Sequence, residues 1–174
     1  FYQDRKMYVM DIDGSNLRCI TESLDQTPSP GVWGKNSSGV YFNVREFGQS
    51  NVYHADIKGK VKKITNGNHM LTMNDLVGSD AVATWTDPSN PSDIISFSID
   101  KPNKINRLTD VNKDIFYNVE FGEVEEITYK SVDEKYVQGW IVKPPNFDSN
   151  KKYPLVLRIH GRPHSMYQVG FNYN

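Results

Sequence analysis

The chain has 174 residues, with 20 basic and 21 acidic side chains and a net charge of −1, a balance that argues against a nucleic-acid surface or an acidic tail. Its single cysteine, Cys19, excludes an intramolecular disulfide and fits a reducing, cytoplasmic setting. No apolar run nears the roughly 18 residues that a membrane-spanning helix needs, and the opening FYQDRKMYVM has neither a leader pattern nor an initiator Met, so it reads as starting in mid-strand.

The first elements in chain order form a repeat. MYVMDIDGSNLRCIT, VYHADIKGKVKKIT and IISFSIDKPNKINRLT end at Thr21, Thr65 and Thr109, each 44 residues after the last. Every copy holds an alternating strand (Tyr8, Met10, Ile12; Val52, Tyr53, Ile57; Ile95, Phe97, Ile99) and a tight polar turn such as Asp13-Gly14 or Lys58-Gly59. It then closes on a basic residue or Cys19, an aliphatic residue and Thr. Alternation around a short turn predicts hairpins. Two further strand pairs lie between them, in VWGKNSSGVYFNV and in DAVATWTDPSNPSDIISF.

About four short strands per repeat is the content of a β-propeller blade, and the identical spacing favours blades over a β-sandwich. Residues 1–121 are therefore expected to form about three four-stranded blades, with no long helix. The polar, aromatic-dotted stretch DVNKDIFYNVEFGE suits a linker. Residues 122–174 then change texture. Strands are predicted around Ile127–Tyr129 and Val137–Val142, flanking a turn at Asp133-Glu134. The apolar run Leu155–Ile159 is predicted to be a buried strand, breaking into a His-Gly-x-Pro-His loop. An amphipathic hairpin followed by an apolar strand is how an α/β domain can begin.

Blades, then GWIVKPPNF, then KKYPLVLRIHGRPHSMY together resemble the prolyl oligopeptidase family of serine peptidases, in its acylaminoacyl-peptidase and dipeptidyl-aminopeptidase-like branch. The resemblance runs over essentially the whole chain. It implies C-terminal propeller blades followed by the N-terminal segment of an α/β-hydrolase domain. It also implies acyl-enzyme chemistry that releases acylated amino acids or short peptides. By the same resemblance, the loop after Ile159 supplies one oxyanion-hole donor, the backbone N–H of Arg162 next to Gly161, supported by His160, Pro163 and His164. Backbone donors at such a loop stabilise the charge that develops on the substrate carbonyl oxygen.

The chain departs from the family pattern at three glycine positions, with Arg162, Gln168 and Glu134 in their place. A glycine at a close turn serves positive φ or leaves room for substrate. No Gly-x-Ser-x-Gly elbow occurs in the sequence. The nearest approach, GQSNV at Gly48–Val52, lies inside the repeat and reads as a turn. The family's Ser, Asp and His follow the oxyanion loop, so the expectation is a chain cut before its nucleophile and inactive alone. Alternatives are a non-catalytic propeller-type module and an esterase relative.

Other residues read as structural. His160 and His164 are four apart, but Gly161 and Pro163 between them disfavour the helix that metal binding would use, and no metal or organic cofactor is expected. His54 and His69 read as surface or partly buried, Glu120, Glu123, Glu125 and Glu126 as a solvated face, and Lys58 to Lys63 as an exposed edge. Trp33, Trp85 and the strand tyrosines read as core between blades. The expected partners are a short peptide substrate and the remainder of the polypeptide, a companion chain or further copies, since blades outside a ring leave apolar faces bare. Neither nucleic acid nor membrane is expected.

Overall fold

A computed structural model describes residues 4–161 and 165–172. They divide into two compact units, Phe1–Val111 with Val169–Asn174, and Asn112–Gln168.

The first unit opens with a short hairpin, β1 (Tyr8–Val9) and β2 (Arg18–Cys19). Two four-stranded antiparallel meanders follow: β3 (Val32–Trp33), β4 (Gly39–Glu46), β5 (Gln49–Asp56) and β6 (Val61–Lys63), then β7 (Met70–Val77), β8 (Asp80–Asp87), β9 (Asn90–Ser98) and β10 (Lys101–Arg107). A single parallel bridge, Ser50 to Met70, joins the two sheets. The described blades are thus two complete sheets plus the closing hairpin of one before them.

Local chemistry explains the corners. Phe47 and Gly48 both have positive φ, 49° and 73°, and form the two-residue turn between Glu46 and Gln49 whose twist matches antiparallel strands. At Gly39 (φ 156°) a Cβ would stand 2.3 Å from the Ala55 carbonyl oxygen, so only glycine can start β4 this close to β5. Pro102 has no N–H to give, and the β9–β10 ladder skips from Lys101 to Asn106.

Period-2 alternation sends successive side chains of each sheet to opposite neighbours. Val40, Phe42, Val44, Tyr53 and Ala55 pack toward the hairpin with Val9, Ile20 and Leu24. Val52 faces the other way and joins Leu71, Met73, Leu76, Ala81, Ala83, Ile95 and Phe97. The first full sheet is therefore covered on both faces.

The three closing threonines play one role. The Thr21, Thr65 and Thr109 hydroxyls accept the N–H of Met7 (2.8 Å), Val52 (2.9 Å) and Ile94 (2.9 Å). Just before each, Ile20, Ile64 and Leu108 donate their N–H to the carbonyls of those same partners, at 2.9, 2.8 and 2.8 Å. Thr65 passes its proton to Asn51 Oδ1 (3.0 Å) and Thr109 to Asp93 Oδ1 (2.6 Å). Burial would raise the Asp93 carboxyl, but the Thr109 hydroxyl and the Arg107 guanidinium hold it below the ordinary carboxylate range.

Between sheets the tie is a side chain acting as a strand. Buried Asn43 donates Nδ2–H to the Leu71 carbonyl (2.7 Å) and accepts the Met73 N–H (2.9 Å). Ser50 donates to the same Leu71 carbonyl at 2.7 Å. The blades also hold a late segment of the chain. The Val169 N–H donates to the Gly48 carbonyl (2.9 Å), the Phe171 N–H to Thr86 Oγ1 (3.0 Å), and Val169 is buried.

The second unit has a four-residue helix, α1 (Lys113–Phe116), and an antiparallel hairpin, β11 (Val124–Lys130) with β12 (Tyr136–Val142), in unbroken register from Val124–Val142 to Lys130–Tyr136. Both predicted strands around Ile127–Tyr129 and Val137–Val142 are present.

Three readings are corrected. Leu155–Ile159 is not a buried strand: Leu155, Val156, Leu157 and Ile159 are 78–90% exposed, and no described strand lies beside them to take up their backbone groups. In the first repeat the core residue is Val9, while Tyr8, Met10 and Ile12 are exposed, because the ladder ends at Val9 and the Asp11–Ser15 turn begins at once. Trp33 is mostly exposed rather than core, since β3 is a two-residue edge strand.

Replacing Thr65 by Val keeps the shape but leaves the buried Val52 N–H unpaired, and should cost about 1–3 kcal/mol in urea unfolding. Thr109→Val, at a half-exposed position that water reaches, should cost less. Equal losses at the two sites would contradict this account of the closure.

Candidate functional site

The approach to the loop is set by short-range polar contacts. The Lys143 N–H donates to the Glu123 carbonyl (2.9 Å), extending the β11–β12 pairing by one rung. Asp148 then makes a turn, accepting the Asn150 N–H at 2.9 Å, while its own N–H donates to the Tyr153 hydroxyl at 3.0 Å. The Phe147 and Tyr153 rings stack with centroids 5.1 Å apart. From Tyr153 the chain runs out through Leu155–Ile159 to exposed His160 and Gly161.

Of the sequence-predicted site residues, His160 and Gly161 are described, whereas Arg162, Pro163 and His164 lie outside the described residues. Ser165 Oγ donates to the Gly161 carbonyl (2.5 Å) and sits 3.2 Å from His160 Nδ1. The contact links residues on the two sides of positions 162–164. Tyr167 completes the cluster. Its ring meets that of His160 edge-on, with centroids 5.6 Å apart at 75°, and the Arg158 guanidinium lies 5.6 Å from its centre. Arg158, Ser165 and Tyr167 were not singled out as site residues from the sequence. The clue was their spacing on either side of the loop.

The family's glycine positions have distinct backbones here. Glu134 has φ 62°, so its turn uses the left-handed conformation that glycine adopts without strain, and its carboxylate pairs with Lys130 at 2.7 Å. Gln168 is not among the positive-φ residues.

Elsewhere the candidates resolve into structure. The GQSNV stretch is strand rather than turn after Gly48, and Ser50 is buried with its hydroxyl committed to Leu71. Lys58, Lys60 and Lys62 are exposed on or beside outer strand β6, while Lys63 bonds Glu46 (2.7 Å) and covers the Tyr53 ring. Glu120, Glu123, Glu125 and Glu126 are exposed, and Lys143 bridges Glu123 and Glu125 at 3.2 and 2.8 Å. Trp85 packs partly buried against the second core. Among the described residues no three His, Cys, Asp or Glu side chains gather as a metal site, and no helix is long and apolar enough to cross a membrane.

No family model matches the chain. A curated relative, the uncharacterized peptidase YuxL of Bacillus subtilis, is 29% identical over 93% of this chain and 27% of its own length. Dipeptidyl-peptidase 5 of Porphyromonas gingivalis is 26% identical over 91% of this chain and 23% of its own length. Among solved structures, the acylaminoacyl peptidase of Pyrococcus horikoshii superposes with a TM-score of 0.74 at 26% identity, over 97% of this chain and 25% of that one. The relatives and structural neighbours are prolyl oligopeptidase-family peptidases. The neighbours carry an N-terminal β-propeller, and the stacked sheets described above are blades of that type. The chain spans about a quarter of the length of these proteins.

His54 and His69 have buried Nε2 atoms with no partner among the described residues, and burial holds both below the ordinary histidine value of 6.5. Asp56 pulls His54 up and Lys62 pushes it down. Asp87 and Lys63 act likewise on His69, without overcoming burial. The folded state therefore binds fewer protons than the unfolded chain as pH falls below 6.5, so stability is full above that pH and declines below it. Urea midpoints measured from pH 8 downward should show this acid limb, and His69→Gln should flatten it. An unchanged limb in that variant would exclude His69 as a source.

Proposed function

We propose that this chain is part of a serine peptidase of the prolyl oligopeptidase type that releases acylated amino acids or short N-terminal peptides from oligopeptides. One observation carries the reading. The match to peptidases covers more than nine-tenths of the chain, more than the blades alone account for. A propeller shared with unrelated proteins would match over the blades alone.

In this reading the residues divide the work simply. The backbone N–H of Arg162, beside Gly161, faces the oxyanion as the scissile carbonyl becomes tetrahedral, and His160, Pro163 and His164 shape the turn that presents it. The nucleophile, its base and the orienting carboxylate come from sequence outside these residues, and no metal or organic cofactor enters. The blades limit access to short peptides. A non-catalytic module is favoured by one feature, the arginine at the position where the family has glycine.

A full-length polypeptide carrying this chain should hydrolyse acylated-amino-acid or dipeptide chromogenic substrates and be labelled by a fluorophosphonate, while the 174 residues alone should not be labelled. Absence of both activities in the full-length protein would favour the module, and hydrolysis of esters alone would favour an esterase. Arg162→Gly in the full-length enzyme should raise kcat by up to about 100-fold if the side chain disturbs the donor. Unchanged turnover would mean that the amide is presented normally or that the donor lies elsewhere.

A further inference from the structure

The sequence contains one Asn-Gly pair, Asn66–Gly67, in the connection from β6 to β7. Such a pair carries chemistry of its own. The Gly67 nitrogen attacks the Asn66 side-chain carbonyl carbon, forming an N–C bond as the Cγ–Nδ2 bond breaks. The Gly67 amide proton passes to solvent base, and Nδ2 leaves as ammonia. Water then opens the resulting cyclic imide at either of its carbonyls, giving aspartate or isoaspartate at position 66. Water is the only co-reactant, and glycine favours the step because it sets no side chain beside its nitrogen.

In the blade the two reacting groups are treated differently. Asn66 is exposed, so the amide that would be lost lies open to water. The nucleophile does not. Buried Asn51 accepts the Gly67 N–H at 3.1 Å and donates Nδ2–H to the Gly67 carbonyl at 3.3 Å. The main chain on either side is stitched to β5 as well. Thr65 donates its N–H to the Val52 carbonyl (3.2 Å), and the His69 carbonyl accepts the Ser50 N–H (2.9 Å). The His69 ring packs against Gly67 so closely that a Cβ there would stand 2.3 Å from Cε1. We propose that Asn66–Gly67 is a latent deamidation site and that Asn51 keeps it shut in the folded blade.

An amide hydrogen bonded to a buried acceptor is released only when its segment opens, so the reaction follows local opening rather than the exposure of Asn66. The isoaspartate product adds a methylene to the main chain between Thr65 and Gly67. Asn51 holds both residues with one carboxamide, accepting the Thr65 hydroxyl at 3.0 Å. The lengthened chain displaces Gly67 from that carboxamide, so the modification undoes the closure that had held it off. The inference does not depend on the peptidase reading.

The test incubates the full-length polypeptide carrying this chain in mildly alkaline buffer and follows Asn66 by peptide mass spectrometry. A synthetic peptide covering residues 60–72 serves as the open reference. The folded protein should convert at least about tenfold more slowly than the peptide, because the open segment is a minor population. Asn51→Ala, with folding checked by thermal melting, should convert about five- to tenfold faster than the parent. Thr65→Val weakens the same closure but keeps both Asn51 bonds to Gly67, and should accelerate conversion less than Asn51→Ala. Equal rates in parent and peptide, or an Asn51→Ala rate no greater than that of Thr65→Val, would overturn the proposal. Should Asn51→Ala not fold, hydrogen exchange at the Gly67 amide of the parent decides: slow exchange supports the guard and free exchange overturns it. Converted protein, separated by its added negative charge, should melt below the parent, and equal melting would overturn the link to the closure.

Discussion

Where β6 ends, its neighbour β5 is left with the Val52 backbone N–H facing a site that water cannot reach. At Thr65 a hydroxyl answers that demand, accepting the Val52 N–H and passing its own proton to Asn51. Both threonine and asparagine are sealed from solvent, so an unmade bond would carry the full desolvation penalty. The side chain replaces one rung of the ladder, which frees the main chain to leave β6 and begin β7 five residues after Thr65.

Everything stacked on this depends on covering two faces at once. A sheet with Phe42 and Tyr53 on one side and Val52 on the other needs a neighbour against each. Apolar contact is non-directional and would tolerate sliding. Asn43 and Ser50 remove that freedom, since their hydrogen bonds to Leu71 and Met73 work at one register of β4 and β5 against β7. Buried and satisfied, such a polar network specifies the arrangement as much as it stabilises it.

The parts legible in the sequence were those whose chemistry is local. The threonine closure repeats at fixed spacing, and the two strands of the β11–β12 hairpin flank a polar turn. Asn43 was invisible for the opposite reason: in VYFNV it looks like a polar interruption of an apolar strand, and its meaning lies 28 residues away in the Leu71 carbonyl. Leu155–Ile159 has the composition of an interior strand, but a strand exists only as a member of a pair, and composition cannot supply the neighbour. Trp33 misled similarly, because large aromatic residues are usually covered, and a two-residue edge strand covers little. The contacts of the Tyr167 ring with Arg158 and His160 escaped notice because those residues lie nine and seven positions before it.

The three departures from glycine carry three different physical meanings, and this bears on how far the loop can diverge and still act. At Glu134 the backbone is left-handed, so the substitution works against the turn, although the Lys130 pair holds the side chain in place. At Gln168 the backbone has no positive φ, so the missing glycine removes no required freedom. At Arg162, in the peptidase reading, the group that acts belongs to the backbone and survives any side chain. What the arginine can change is the direction of that N–H and the space in front of it. In that reading the bulk of the arginine is the variable that sets how closely a substrate carbonyl can approach.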